Sequence, residues 1–149
     1  MSRELETKVK LTIYGLTAET GRVPNSLEVA RKIGINEADV LDAFARLRVK
    51  RLLVPEPGDS SRIRMAPPFS GVATAFPVET NGKRYYANCV WDAYGIAATL
   101  HADAIIPAAD GHTGEPLTLE VKRHQPVLHP YVAHFAVPAA HWWDNIVFT

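Results

Sequence analysis

Tyr85-Tyr86-Ala87-Asn88-Cys89-Val90-Trp91-Asp92-Ala93-Tyr94-Gly95-Ile96-Ala97-Ala98-Thr99-Leu100 is the stretch on which the reading of this chain turns. It holds the only cysteine, with an acid three residues later. From Val90 to Leu100 the run is rich in Ala, Ile and Leu and has no proline. Its apolar residues recur at three- and four-residue intervals, which predicts a helix packed into a core. Asn88 reads as the N-cap, because its side-chain oxygen can accept from the first unpaired backbone N–H groups. Cys89 then falls in the first turn, with Asp92 on the same face. A thiol there sees the positive end of the helix dipole, which lowers its pKa, while a neighbouring carboxylate opposes a second negative charge. The pair is expected to share a proton, as chemistry needs when sulfur attacks and an acid delivers a proton. A buried, inert thiol with Asp92 merely capping the helix fits the same two residues, and on them alone is the favoured reading.

Working outward, Val72–Val78 and Lys83–Ala87 read as two strands joined at Asn81-Gly82, a strong hairpin signal. The second strand feeds directly into the Cys89 helix, so rigid elements hold the reactive position on both sides. Met65-Ala66-Pro67-Pro68-Phe69-Ser70 is a proline-stiffened connector and the expected domain boundary. Beyond Leu100, Asp103–Ala108 reads as a short strand, 109–115 as a turn-rich loop, and Leu117–Lys122 as a cleanly alternating, half-buried strand. Val132–Val137 reads as one more strand.

The N-terminal part reads as three helices and a hairpin. Leu5, Val9, Leu11, Ile13 and Leu16 mark an amphipathic helix over 3–19; Leu27 to Ile33 follows, closed by Gly34; a third begins at Asn36 and ends in Arg48-Val49-Lys50-Arg51. Two short strands around a Pro/Gly turn occupy 52–65. The expected fold is therefore α+β: a winged-helix-like region over 1–65, then an antiparallel sheet core over 66–149 with a helix carrying the Cys-x-x-Asp pair. A winged helix invites a DNA-binding reading, with Arg46, Arg48, Lys50, Arg51, Arg62 and Arg64 on phosphates. Against it, the third helix also presents Glu37, Asp39 and Asp42, so a scaffold role is preferred.

Lys plus Arg and Asp plus Glu are 16 each in 149 residues, giving zero formal net charge. That removes the bulk electrostatic case for nucleic acid or an anionic membrane as partner. The charged start of the chain does not read as a signal peptide, and no apolar run is long enough to span a membrane. A single cysteine suits a reducing cytoplasm. All six histidines follow residue 100 without zinc-ligand spacing, and Trp142-Trp143 reads as core or an edge anchor. No nucleotide-binding glycine loop is present, so no nucleotide cofactor is implied.

The segments MAPPFSGVATAFPV, NCVWDAYGIAA and HFAVPAAHWWDNIVFT, in that order, resemble the alkylmercury (organomercurial) lyase family, MerB. The resemblance runs from about Arg62 to Thr149 and is weaker in the N-terminal helices, which in the family serve as scaffold. It implies that Cys89 and Asp92 are the reactive pair. The implied reaction cleaves a carbon–mercury bond without an organic cofactor, Cys89 holding the mercury of substrate or product and Asp92 protonating the leaving carbon. Implied partners are an organomercurial, small thiols and a mercuric reductase that takes over Hg(II). The family mechanism uses a second cysteine, expected just past the block matching Asp144 to Thr149. The resemblance therefore implies either a piece of a longer lyase whose core lacks its C-terminal end or a relative without the second thiol, whose turnover would need an external thiol as second ligand. An open sheet edge there, with Ile146-Val147-Phe148 beside it, would favour a homodimer. The loop matching 108–114 carries further cysteines in many relatives; Ala108, Ala109 and His112 stand here, which argues against a structural metal. The alternatives are a winged-helix regulator or a mercury or thiol sensor without turnover, and a catalytically dead relative.

Overall fold

The computed structural model describes residues 3–147, so Phe148 and Thr149 of the expected apolar end lie outside the described residues. Helix α1 (Arg3–Thr20), α2 (Ser26–Ile33) and α3 (Glu37–Val49) pack around Val9, Ile13, Val29, Val40, Phe44 and Leu47, all buried. Along α1 the buried positions Glu6, Val9, Ile13 and Thr17 recur every three or four residues, which is one face of a helix. Glu6 is an acid on that apolar face. It is tolerated because Lys50 pairs with it and Arg46 lies 3.9 Å away. Asn25 caps α2 reciprocally with Glu28, and Gly34, at φ 71°, ends it.

Strands β1 (Val54–Glu56), β2 (Asp59–Ala66) and β3 (Phe69–Ser70) form a small antiparallel sheet. Several cations that suggested phosphate contacts are engaged inside the molecule. Besides Lys50 and Arg46, Arg64 pairs with Glu56 at 3.4 Å and the Arg51 guanidinium lies over the Trp143 ring.

A second antiparallel sheet contains β4 (Pro77–Thr80), β5 (Lys83–Tyr86), β6 (Ala104–Ala109), β7 (Pro116–Lys122) and β8 (Gln125–Pro126), in the order β5-β4-β6-β7-β8. Asn81 and Gly82, both at positive φ, turn β4 into β5. Helix α4 (Val90–Leu100) buries Ala93, Ile96 and Ala97 in a second core with Val78, Ile106 and Leu119. Small alanines on that face let the helix axis approach the sheet closely.

Two expected strands differ. Only Pro77 and Val78 of the span 72–78 are extended in the sheet. Gly71 approaches so closely that a Cβ there would sit 1.8 Å from the Ile63 carbonyl oxygen. After it, hydroxyls take over the local hydrogen bonds: Ser70 Oγ donates to the Val72 carbonyl, and Thr74 Oγ1 donates to that of Ala87. Such side-chain turns compete with a ladder. The second difference is Val132–Val137, which forms no strand. Val132 is 91% exposed and Leu128 99%, and pairing after the two-residue β8 goes no further than the Val127 N–H, which donates to the Glu120 carbonyl at 2.9 Å. An alternating pattern specifies a strand only where an edge receives it. The segment ends in a 3₁₀ turn, Ala139–Asp144, where Trp142 packs on Phe135 at 5.3 Å and donates from Nε1 to the Val137 carbonyl.

The two cores meet at Phe69. Its backbone bridges to Ala87, joining the sheets, and its ring lies between Tyr14 of α1 and Tyr85 of β5, at 6.1 and 5.6 Å. Tyr85 Oη donates to the Ala18 carbonyl at 2.9 Å, so α1 is pinned to both halves of the molecule. Among the described residues no helix is long and apolar enough to cross a membrane.

Candidate active site

Strand β5 delivers the chain into α4 through Ala87, buried and bridged, so the next two residues leave a fixed point. Cys89 has extended backbone, φ −156° and ψ 178°, and its carbonyl accepts the first helical bond, from Ala93 N–H at 3.0 Å. Cys89 is therefore the N-cap itself, rather than a first-turn residue, and Asp92 stands at the third helical position. This corrects the expectation for Asn88, which precedes the cap and points elsewhere. Its Nδ2 donates to Asp92 Oδ2 at 2.9 Å and lies 3.4 Å from the Phe69 carbonyl oxygen and 3.5 Å from that of Pro68.

Sulfur at an N-cap is a poor acceptor, and Cys89 makes no full capping hydrogen bond. The amides of Asp92 and Trp91 still face it and favour the thiolate, but they are outweighed. Burial pushes the Cys89 thiol up from its ordinary value, and the Asp92 charge pushes the same way. The opposing pulls expected of the helix start and of the Asp92 charge both act here, and burial adds a larger one: half-buried sulfur loses more from desolvation than the amides return. Asp92 is raised as well, by burial first, with the Asn88 amide pulling it back. A thiol and a carboxyl, both shifted upward by burial, therefore share one helix turn.

Tyr14 and the Pro67-Pro68 turn close the back of this site. Tyr14 Oη donates to the Pro67 carbonyl at 2.6 Å. Burial raises the Tyr14 hydroxyl's pKa and the Asp92 charge adds to the effect, which places a helix of the N-terminal part within electrostatic reach of the acid. Gly95, one turn along α4, lets Pro68 seat against the helix: a Cβ there would lie 3.1 Å from the Pro68 Cβ. On the outer side Trp91 is 70% exposed. Sequence reasoning missed Tyr14, whose 53-residue separation from Pro67 leaves no local signal. The Asn88–Asp92 contact was available from its four-residue spacing.

The other singled-out groups lie apart from this cluster in their contacts. His129 meets Tyr94 Oη at 3.1 Å, His141 pairs with Asp144 at 3.0 Å, and Asp110 accepts from the amides of His112 and Thr113 in the loop before β7. Among the described residues, no group of three His, Cys, Asp or Glu is placed to hold a metal ion.

The fold is α+β, with a half-buried thiol and carboxyl at the start of a sheet-packed helix. The family model for alkylmercury lyase, MerB, matches residues 69–149, just over half of the chain. The chain belongs to the alkylmercury lyase family. The crystal structure of the mercury-bound form of MerB2 is similar in fold, with TM-score 0.60 and 19% identity, over 85% of this chain and 67% of that one. No curated protein matches the chain.

Proposed function

We propose that this protein cleaves carbon–mercury bonds, with Cys89 as the mercury-binding nucleophile and Asp92 as the proton carrier. The observation that carries the reading is the pair itself: a thiol at the N-cap and a half-buried carboxyl three residues on, in a chain of the alkylmercury lyase family. Hg(II) is soft and thiolate is the softest protein ligand, so mercury is what this thiol would select. Coordination acidifies the thiol, and its proton passes to the Asp92 carboxylate, whose raised pKa makes it the better acceptor.

Cys89 is the one cysteine of these 149 residues, and in the reaction proposed here a small external thiol serves as the second thiolate on mercury. For a substrate R–Hg–SR′, the Cys89 sulfur adds to mercury while Asp92 takes the thiol proton, giving three-coordinate mercury. The R–Hg bond then breaks with both electrons on carbon, and Asp92 returns the proton there, releasing R–H. A second R′SH protonates Cys89 and leaves as part of Hg(SR′)₂. Mercury stays Hg(II) throughout, and neither an organic cofactor nor a resident metal enters. The hydrocarbon and a thiol-bound Hg(II) are the products, and a mercuric reductase is the consumer this implies. The N-terminal residues 1–65 are read as a winged-helix-like scaffold, and the site of action as the cytoplasm, where small thiols abound.

The test is release of benzene from phenylmercury in excess small thiol, measured beside Cys89→Ser and Asp92→Ala. Benzene that depends on both residues supports the reading. Stoichiometric mercury capture through Cys89 without benzene would overturn it and leave a mercury-binding scaffold.

A further inference from the structure

Asn88 does not cap α4, and its contacts give it a different task. Three acceptors surround its Nδ2: Asp92 Oδ2 at 2.9 Å and the carbonyl oxygens of Phe69 and Pro68 at 3.4 and 3.5 Å. Turning the amide over would set its oxygen against all three, so the orientation is fixed by the surroundings. The opposite atom, Oδ1, is buried and has no hydrogen-bond partner. An amide nitrogen only donates, so Asp92 Oδ2 is kept as an acceptor, and a proton on this carboxyl belongs on Oδ1 of Asp92.

We propose that Asn88 is a positioning residue that selects which oxygen of Asp92 carries the transferable proton. The inference rests on the reading of Asp92 as proton carrier. The support extends behind it. Tyr14 Oη holds the Pro67 carbonyl at 2.6 Å, fixing the turn whose next two carbonyls face Asn88, so α1 helps aim an acid 78 positions further along the chain. A misaimed donor is costly out of proportion to the displacement, since a shift of about 1 Å in a reacting group costs up to about 100-fold in rate.

The experiment compares the full chain with Asn88→Leu and Asn88→Gln, following both benzene release against pH and the Asp92 carboxyl by ¹³C NMR. Asn88→Leu removes the donor at similar size. It should lower benzene release about 10- to 100-fold, leave one phenylmercury bound per chain, and move the Asp92 titration upward, because the Asn88 N–H favours the ionised carboxyl. Asn88→Gln keeps the amide and should recover part of both effects; it also serves if Asn88→Leu does not fold. A slower reaction with Asp92 titrating as in the wild type would overturn the proposal and leave Asn88 a packing residue. If the wild type releases no benzene, the reading of function fails separately, and an unchanged Asp92 titration in both variants would still reject the role of Asn88.

Discussion

Helices α2 and α4 begin with the same spacing and use it for opposite ends. In α2 the N-cap is Asn25 and the third helical residue is Glu28; each side chain bonds the other's backbone N–H, at 2.9 and 2.8 Å. In α4 the same two positions hold Cys89 and Asp92, and the reciprocal bonds are not made. Arg22 donates to Glu28 through both terminal nitrogens, at 2.5 and 3.1 Å, and holds its carboxyl below the usual range. Asp92 receives one neutral amide and no cation, and burial raises it. One helix start is finished as a cap; the other gives up its cap and holds a thiol and an acid whose pKa values burial raises. Sites commonly forgo local stability in this way.

Removing the acid should break the comparison most visibly. Asp92→Asn is expected to lower benzene release by about 10²- to 10⁴-fold, the usual worth of a positioned acid. Mercury capture should persist at one per chain, as read by titration with phenylmercury. Next in size is the cap. Asn25→Ala should cost about 1 kcal/mol, lowering Tm by about 2–4 °C in a chain of this length. Cys89→Ala loses no capping bond and should move Tm far less in the same thermal scan.

The two acids should also respond to pH with opposite signs. Glu28 has a depressed folded pKa, so its stabilisation is present above the unfolded value and is lost as pH falls through the folded one. Asp92 has a raised folded pKa, so the folded state binds its proton more tightly and stability falls as pH rises between the unfolded and folded values. Glu28→Gln should therefore lower Tm at neutral pH, and Asp92→Asn should raise it. Both differences should shrink toward acid, and thermal scans from pH 3 to 8 would separate them. Equal signs would mean that the two helix starts are electrostatically alike. In stability alone a small gain is expected from Cys89→Ser, which abolishes benzene release yet supplies an oxygen cap, worth about 0.5–1 kcal/mol in denaturant unfolding.

Much of the frame was legible beforehand. The helices over 3–19, 27–33 and from Asn36 appear within a residue or two of their expected ends, because apolar periodicity and the Gly34 stop are local signals. The Asn81-Gly82 turn and the 117–122 alternation were equally local. The strands over 72–76 and 132–137 were not, since extended segments need a partner edge: the first makes a single backbone bond, from the Ala87 N–H to the Phe76 carbonyl, and the second pairs with no strand among the described residues. At the site, the pairing of Cys89 with Asp92 was readable from spacing. The cap assignment slipped by one residue, because a helix boundary depends on where the incoming strand releases the chain.

What the sequence determined by itself is the inventory and its local order: one thiol, an acid three residues on, a helix to hold them, and the family to which they belong. The tertiary structure alone decided the direction of the pKa shifts and the contacts of the acid. Burial against the second core raises Cys89 above the value its place at a helix start would suggest, and raises Asp92 with no cation to offset it. Tyr14 bonds the Pro67 carbonyl, the next two carbonyls face Asn88, and Asn88 donates to that acid, a chain of contacts from three separate parts of the sequence. Desolvation and direction are properties of what surrounds a group in space, and spacing along a chain carries neither.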